Sequence, residues 1–200
     1  EAVRAIIEAE GRAQGAPGSM SQKVGDFYKS YMDEARLESL GVAPLRSELD
    51  QIAKITDAKD LPAAFARASR VGVRLPFAVS VGADQRNSEQ YAVSVSQSGL
   101  GMPDRDYYLR NDGRFAETRK SYNTYIARLF ALSNQPDPEG AAARIIALES
   151  KIAQLQWDRA RNRDRNATYN KMGVAALQAS TPHFDWQAYL AALPGGAGEK

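Results

Sequence analysis

The chain has 200 residues, room for one or two domains, and its 44% hydrophobic and 25% charged side chains suit a folded core rather than a disordered polypeptide. Lys and Arg number 26 against 24 Asp and Glu, and the resulting formal charge of +2 argues against a strongly basic nucleic-acid surface and against an acidic solvating tail. Zero cysteines exclude a disulfide scaffold, a thiolate zinc site, an iron–sulfur cluster and a cysteine nucleophile, while a single histidine, His183, leaves no site in these residues that needs two imidazoles.

The chain opens at Glu1 on Ala2-Val3-Arg4-Ala5-Ile6-Ile7-Glu8-Ala9, which reads as the middle of an amphipathic helix, and closes on the flexible stretch Gly195-Gly196-Ala197-Gly198-Glu199-Lys200. Two expectations stand side by side: a trimmed complete domain with frayed ends, or a piece of a longer polypeptide with any signal segment upstream. After the loop Gly11 to Ser19, Ser19 or Ser21 caps a helix whose apolar face is Val24, Phe27, Tyr28, Tyr31, Met32 and Ala35. Gly41 and Pro44 punctuate it. A second helix starts at Pro44, with Leu45, Leu49, Ile52 and Ile55 on one face, and ends at Thr56-Asp57. Asp60 caps a third, which tolerates Pro62 in its first turn and points Leu61, Phe65 and Ala68 inward.

The period changes at Pro76. Phe77, Val79 and Val81 alternate with small residues, as do Tyr91, Val93 and Val95, and the polar run Ala83 to Ser88 between them predicts two antiparallel strands. Helix returns from about Arg114 to Leu132 with Phe115, Tyr122, Tyr125, Ile126, Leu129 and Phe130 as its apolar set. Asn134-Gln135-Pro136-Asp137-Pro138 breaks it. A long helix follows from Pro138 or Glu139 to about Arg159, with Ile145, Ile146, Leu148, Ile152 and Leu155 inside. Two short helices, near Val174–Gln178 and Trp186–Ala192, flank Ser180-Thr181-Pro182. No stretch approaches the roughly 18 consecutive apolar residues of a membrane helix. The expected fold is mainly α: a multi-helical lobe with one small antiparallel β-hairpin at about residues 76–97.

The most information-rich stretch is Gly99-Leu100-Gly101-Met102-Pro103-Asp104-Arg105-Asp106-Tyr107-Tyr108-Leu109. Its glycines permit positive φ, Pro103 fixes φ, and Asp104 can accept from the first amides of a short helix. A phosphate cradle is one reading, but Gly99-x-Gly101 lacks a third glycine and no Walker lysine follows. The favoured reading is a tight strand-to-helix connector whose Arg105 and aspartates pair locally. The arginines of Trp157-Asp158-Arg159-Ala160-Arg161-Asn162-Arg163-Asp164-Arg165-Asn166 alternate, so on a helix they spread around the cylinder, and Asp158 and Asp164 offset part of their charge; no nucleic-acid partner is expected. His183, alone in a loop, is not expected to bind metal. Asn166-Ala167-Thr168 fits a glycosylation acceptor, which matters only in a eukaryotic secretory system. The neighbouring acids Asp104 with Asp106 and Asp33 with Glu34 are ordinary surface pairs, though acid–base work is open to them in principle.

The Gly99–Leu109 segment resembles the Gly-Leu-Gly-Leu-Pro-x-Arg-Asp-Tyr-Tyr signature of the neprilysin and endothelin-converting-enzyme family of zinc metalloendopeptidases. Other pieces agree in the family's order. Phe27-Tyr28-Lys29-Ser30-Tyr31-Met32-Asp33-Glu34 is similar to a family segment in which many members carry cysteine at the place of Tyr31. Ser80-Val81-Gly82-Ala83-Asp84 before Asn87-Ser88 resembles the family's strand and turn, Tyr169-Asn170-Lys171-Met172 matches a Tyr-Asn-Lys-Met segment, and Phe184-Asp185-Trp186 resembles the Phe-x-Trp that follows. The likeness runs from about Lys23 to Leu190.

The resemblance implies an extracytoplasmic peptidase (periplasmic, envelope-associated or secreted) acting on peptide substrates, and the lack of cysteine at Tyr31 suits a bacterial member. In the family, zinc is held by the two histidines of His-Glu-x-x-His and a downstream glutamate and activates a water molecule. None of those residues occurs here, so no residue is carried over as catalytic or metal-binding, and the family's substrate-carboxylate arginine falls upstream of Glu1. Residues 1–200 then correspond to the amino-terminal helical lobe that roofs the catalytic cavity, inactive alone and partnered by the catalytic lobe of the same polypeptide. Gly99, Gly101, Pro103, Asp104, Arg105, Asp106, Tyr107 and Tyr108 become a structural motif. The competing expectations are a stand-alone helical protein-binding module and a pseudo-peptidase with an altered downstream motif.

Overall fold

The structure is a computed structural model describing residues 1–193; the closing stretch Gly195 to Lys200 lies outside the described residues. Two compact units divide the chain, Glu1–Glu48 and the residues from Leu49 on.

In the first unit, α1 (Ala2–Arg12) packs against α2 (Met20–Met32). Ser19 caps α2, its hydroxyl accepting from the Gln22 N–H at 3.1 Å. α1 continues through Gly11, where a loop was expected, because glycine serves the crossing. A Cβ on Gly25 would strike the Glu10 carbonyl, and one on Gly11 would strike the Tyr28 ring. The Ser21 hydroxyl donates to the Glu10 carboxylate across the same contact. α2 does not carry Ala35: the Asp33 carboxylate accepts from the Arg36 N–H at 3.0 Å and starts α3 (Glu34–Leu40). Gly41, at φ 49°, ends it. A 3₁₀ turn at Ala43–Leu45 leads into α4 (Arg46–Ala53). Of the residues expected on one face there, Leu45 and Ile52 are exposed and Leu49 and Ile55 half-buried.

In the second unit, Asp60 precedes α5 (Leu61–Arg70) but does not cap it with its side chain; the carboxylate reaches back to the Thr56 and Asp57 N–H groups at 3.2 and 3.1 Å. Strands β1 (Phe77–Ala83) and β2 (Tyr91–Gln97) pair antiparallel, with Phe77 opposite Gln97, Val79 opposite Val95 and Val81 opposite Val93. There follow α6 (Asp106–Leu109), α7 (Gly113–Leu132), α8 (Pro138–Leu155), α9 (Arg165–Thr168), α10 (Val174–Ser180) and α11 (Trp186–Ala191). The mainly α fold with one small hairpin is therefore as the periodicity predicts.

α8 stops at Leu155, short of Arg159. Gln156 turns extended there, its amide donating to the Ser98 carbonyl at 2.7 Å, and Trp157 exchanges two hydrogen bonds with the Gln97 side chain. In α8, Ala141, Ala142 and Ala153 are buried and Ile145, Ile146 and Ile152 half-buried, while Leu148 and Leu155, also expected inside, are exposed. Tyr125 and Leu129 of α7 are likewise exposed. α9 was not expected; the Asp164 carboxylate makes it by accepting from the Asn166 and Ala167 N–H groups.

The main core gathers Ala66, Leu75, Trp186, Tyr189 and Leu190. Phe77 stands at its centre, with ring centroids 4.9 Å from Trp186, 5.3 Å from Tyr189, 5.4 Å from Phe184 and 6.0 Å from Phe65. The Trp186 indole donates to the Thr181 hydroxyl at 2.6 Å, so its one polar atom is satisfied.

The hairpin's turn is fixed by a buried carboxylate. Asp84, whose side chain is 1% exposed, lies 2.8 Å from the Lys171 ammonium and accepts from the Tyr169 hydroxyl and from the Arg86 and Asn87 N–H groups. Arg86 in turn lies over the Tyr169 ring at 4.2 Å. The Lys171 hydrogen bond first, and the backbone donor from Arg86 next, hold the Asp84 carboxyl well below the ordinary carboxylate range. A group whose pKa is lowered on folding contributes stability above its unfolded value of about 3.9 and loses it as pH falls through the folded value. Asp84→Asn is therefore expected to lower the melting temperature of the intact protein by several degrees at pH 7, with a gap from wild type that narrows steadily below about pH 4. A gap independent of pH in thermal melts would contradict this account.

Candidate functional site

The segment Gly99–Leu109 begins where β2 ends. Ser98 N–H donates to the Pro76 carbonyl at 3.1 Å, and Gly99, at φ 91°, lies so close to the Leu75–Pro76 backbone that a Cβ would sit 2.7 Å from Pro76 Cα. Leu100 and Met102 then enter a second core with Tyr108 and Ala153. Asp104 does two things: one carboxylate oxygen accepts from the Asp106 N–H at 2.9 Å, and the other meets the Arg159 guanidinium at 2.7 Å. Asp106 opens α6 and lies 3.9 Å from Arg110. Tyr107 packs edge-on against Phe115 at 4.9 Å.

Glu149, on α8, organises the segment. Its carboxylate accepts from the Tyr108 hydroxyl at 2.7 Å, the Tyr122 hydroxyl at 3.2 Å and the Gly101 N–H at 3.2 Å, and the Tyr108 oxygen accepts from the Met102 N–H at 2.9 Å. Burial first, and the Glu149 charge second, push the Tyr122 phenol up to about 12. Burial raises Tyr108 as well, reinforced by its hydrogen bond to Glu149. Gly101 has to be glycine, because a Cβ there would run into the Tyr122 hydroxyl. With the amides of Gly101 and Met102 already bonded inside the protein, the phosphate-cradle reading has no donors left at these positions.

Within the predicted motif, Gly101, Asp104, Asp106, Tyr107 and Tyr108 are held by partners that sequence reasoning did not assign to it: Glu149, Arg159, Arg110 and Arg119, with Tyr122 sharing the Glu149 carboxylate. Arg119 donates to the Tyr107 and Arg110 carbonyls and to the Asn111 side chain, closing the C-terminal end of α6. A signal for Glu149 existed: it is the lone acid in the stripe Ile145, Glu149, Ile152. The Arg105 carbonyl accepts from the Tyr108 and Leu109 N–H groups, but the residue's side chain takes no part in this bonding. Its Nε is buried without an acceptor, and its side chain borders a cleft of about 510 Å³ shared with Arg74, Gln97, Trp157 and Arg159.

Chemically the aspartates of the cleft are already engaged: Asp104 with Arg159 and the Asp106 N–H, Asp106 with Arg110, and Asp158 with the Arg161 N–H. The Arg161 guanidinium stacks 3.6 Å from the Trp157 ring, and Arg159 is paired with Asp104, so two of the four alternating arginines are held locally. His183 is exposed in the turn before α11. Among the described residues no three His, Asp or Glu side chains converge as a metal site, and no helix is long and apolar enough to cross a membrane. Elsewhere, in the first unit, α1 and α2 form an apolar groove of about 780 Å³.

The Glu149 arrangement makes a quantitative prediction. Gly101→Ala should cost about 2 kcal/mol, the scale of overpacking a close-fitted site, and Tyr122→Phe in the same molecule should recover part of that loss. A double-mutant cycle by denaturant unfolding checks it; strictly additive losses would mean that the hydroxyl and the glycine are not in contact.

The profile described as peptidase family M13 matches residues 1–200. Endothelin-converting enzyme-like 1 of Rattus norvegicus is 29% identical over 194 residues, 90% of this chain and 25% of its own. The zinc metalloprotease Zmp1 of Mycobacterium tuberculosis, solved in complex with an inhibitor, has a TM-score of 0.86 at 37% identity over 96% of this chain and 30% of its own; in its open state the TM-score is 0.84 at 38% identity. The chain spans about a quarter of the length of the curated relatives it matches. The residues described here do not fit a zinc site of their own, since the donor set has one histidine and no convergent carboxylates. Matched over its full length by the family's amino-terminal profile, the chain belongs to peptidase family M13, the neprilysin and endothelin-converting-enzyme family of zinc metallopeptidases.

Proposed function

We propose that residues 1–200 are the amino-terminal helical lobe of a longer zinc metalloendopeptidase that hydrolyses oligopeptides, and that this lobe roofs the cavity in which the catalytic lobe of the same polypeptide works. The reading is carried by the likeness to the Mycobacterium tuberculosis zinc metalloprotease, which covers 96% of this chain and 30% of that one. In this reading the His-Glu-x-x-His helix and its zinc belong to the part of the polypeptide outside these residues, and residues 1–200 alone are inactive. The lobe contributes selectivity by shape: a wall that excludes folded proteins needs rigidity and no reactive group. An open state in the Mycobacterium relative supports a cavity that admits substrate by opening. The protein then acts outside the cytoplasm of a bacterium.

Gly99, Gly101, Pro103, Asp104, Arg105, Asp106, Tyr107 and Tyr108 serve as the structural hinge-point from β2 into α6 and α7. Arg105 contributes through its packed stem rather than through a hydrogen bond.

The test uses the full-length gene product, assayed for bound zinc and for cleavage of a free peptide and of the same peptide sequence set in a folded host. The expected outcome is chelator-sensitive cleavage of the free peptide, and much slower cleavage of the folded one. A reading frame that stops soon after Lys200, or a product that holds no zinc and leaves peptides whole, overturns the peptidase reading. Equal rates on both substrates overturn the roof. For the motif, Arg105→Ala should lower the melting temperature while the folded fraction keeps its kcat/KM; unchanged melting with lost turnover would make Arg105 part of the substrate machinery instead.

A further inference from the structure

The first unit has an apolar surface that its own packing does not use. α2 carries two adjacent stripes. One, through Ser21, Gly25 and Tyr28, faces α1. The other, through Val24, Phe27 and Tyr31, continues onto Met32 and the α1 residue Ile7 as the wall of the 780 Å³ groove. Phe27 is 76% exposed and Tyr31 74%, and Gly25 is the one buried residue in 1–48. A helical hairpin held by one stripe leaves the second free for something else, and a contiguous open patch of this kind marks an interaction surface.

The groove's rim says what that something carries. Arg4 and Lys23 lie on it with Glu8. Glu8 is already taken by Arg4 at 2.7 Å and Arg12 at 3.5 Å, whereas Lys23 has no carboxylate within ion-pair distance among the described residues. The rim is net positive and one ammonium is free to pair. A long groove between two helices, with aromatic anchors at i and i+4, fits an amphipathic helix laid along it. The matched relatives are about four times as long as this chain, so most of an M13 polypeptide lies outside residues 1–200.

We propose that an amphipathic helix of the same polypeptide, from outside residues 1–200, occupies the α1–α2 groove, with its apolar side on Phe27, Tyr31 and Met32 and an acidic side chain against Lys23. The proposal rests on the reading of this chain as one lobe of a longer M13 protein, and it names the surface by which the lobe is held.

The test places the photo-cross-linking analogue benzoylphenylalanine at position 27 of the full-length gene product, a replacement close to phenylalanine in shape, and identifies the cross-linked peptide by mass spectrometry. The expected product joins position 27 to an apolar peptide with an acidic residue from beyond residues 1–200 of the same molecule, and Lys23→Glu reduces its yield severalfold. Mixing isotope-labelled and unlabelled protein separates the cases. Cross-links between molecules assign the groove to a second copy, cross-links to residues 49–193 assign it to the second unit, and the absence of any cross-link leaves it open to solvent; each of these overturns the proposal. Zinc content and peptide cleavage measured on the same preparation keep the two readings apart: an active enzyme with an uncovered groove defeats this inference alone, and a gene that encodes no further lobe defeats both.

Discussion

One carboxylate sets the geometry of the best-defined part of the molecule. Glu149 is drawn partly out of water, and a desolvated charge is tolerable only if its lone pairs are met by donors. The donors come from three separate places: the Gly101 N–H from the strand-exit loop, the Tyr108 hydroxyl from α6 and the Tyr122 hydroxyl from α7. Satisfying one side chain therefore brings four pieces of chain into register. Both phenols are harder to ionise than usual because burial and the nearby charge each oppose a second anion, so they stay donors across the physiological pH range. The glycine at 101 follows from the same arrangement, since the space a Cβ would need belongs to the Tyr122 hydroxyl.

The hairpin shows the same economy. A two-stranded ribbon alone is marginal in water, and this one is anchored at three points of different chemistry. Phe77 sits among four aromatic rings, Gln97 exchanges two hydrogen bonds with the Trp157 backbone, and Asp84 binds Lys171 and Tyr169. Each anchor reaches residues at least 60 positions away: Phe77 to Phe184, Trp186 and Tyr189, Gln97 to Trp157, and Asp84 to Tyr169 and Lys171. The hairpin is thus less an element with its own stability than a strut between the two cores of the second unit.

Sequence periodicity read the elements well where a side of the chain repeats: the strands at 77–83 and 91–97 and the helices at 113–132 and 186–191 are where alternation and the i, i+3, i+4 spacing place them. It misread positions decided by partners elsewhere. Nothing local announces that Asp33 splits one helix into two, or that α8 ends at Leu155 because Gln97 and Ser98 claim the next residues. Leu148 and Leu155 look like core on composition, yet they are exposed, and the fully buried positions of α8 are Ala141, Ala142 and Ala153, with Ile152 packed against the core that Ala153 joins. The motif residues stood out through glycine, proline and aspartate chemistry, whereas Glu149, an isolated acid on an apolar stripe, reads as an interruption until its three donors are known.

The two units are stabilised in different ways. From Leu49 on, large side chains close a core across long stretches of chain: Phe65 and Phe77 meet Phe184, Trp186 and Tyr189 more than a hundred residues later. Residues 1–48 have no counterpart. Their contact is a backbone-close crossing at Gly11 and Gly25 with polar closure by Ser21 and Glu10, and no large apolar side chain among them is buried. Units below about 60 residues bury too little surface to be secure without help, and a crossing held by glycines removes less apolar area from water than a leucine interface would. The sequence nevertheless spends Val3, Ile6, Phe27, Tyr31 and Leu37 on this unit's surface. Such residues weaken solubility where they stand alone and stabilise only where something covers them, which is the role the proposed covering helix would have on the α1–α2 groove.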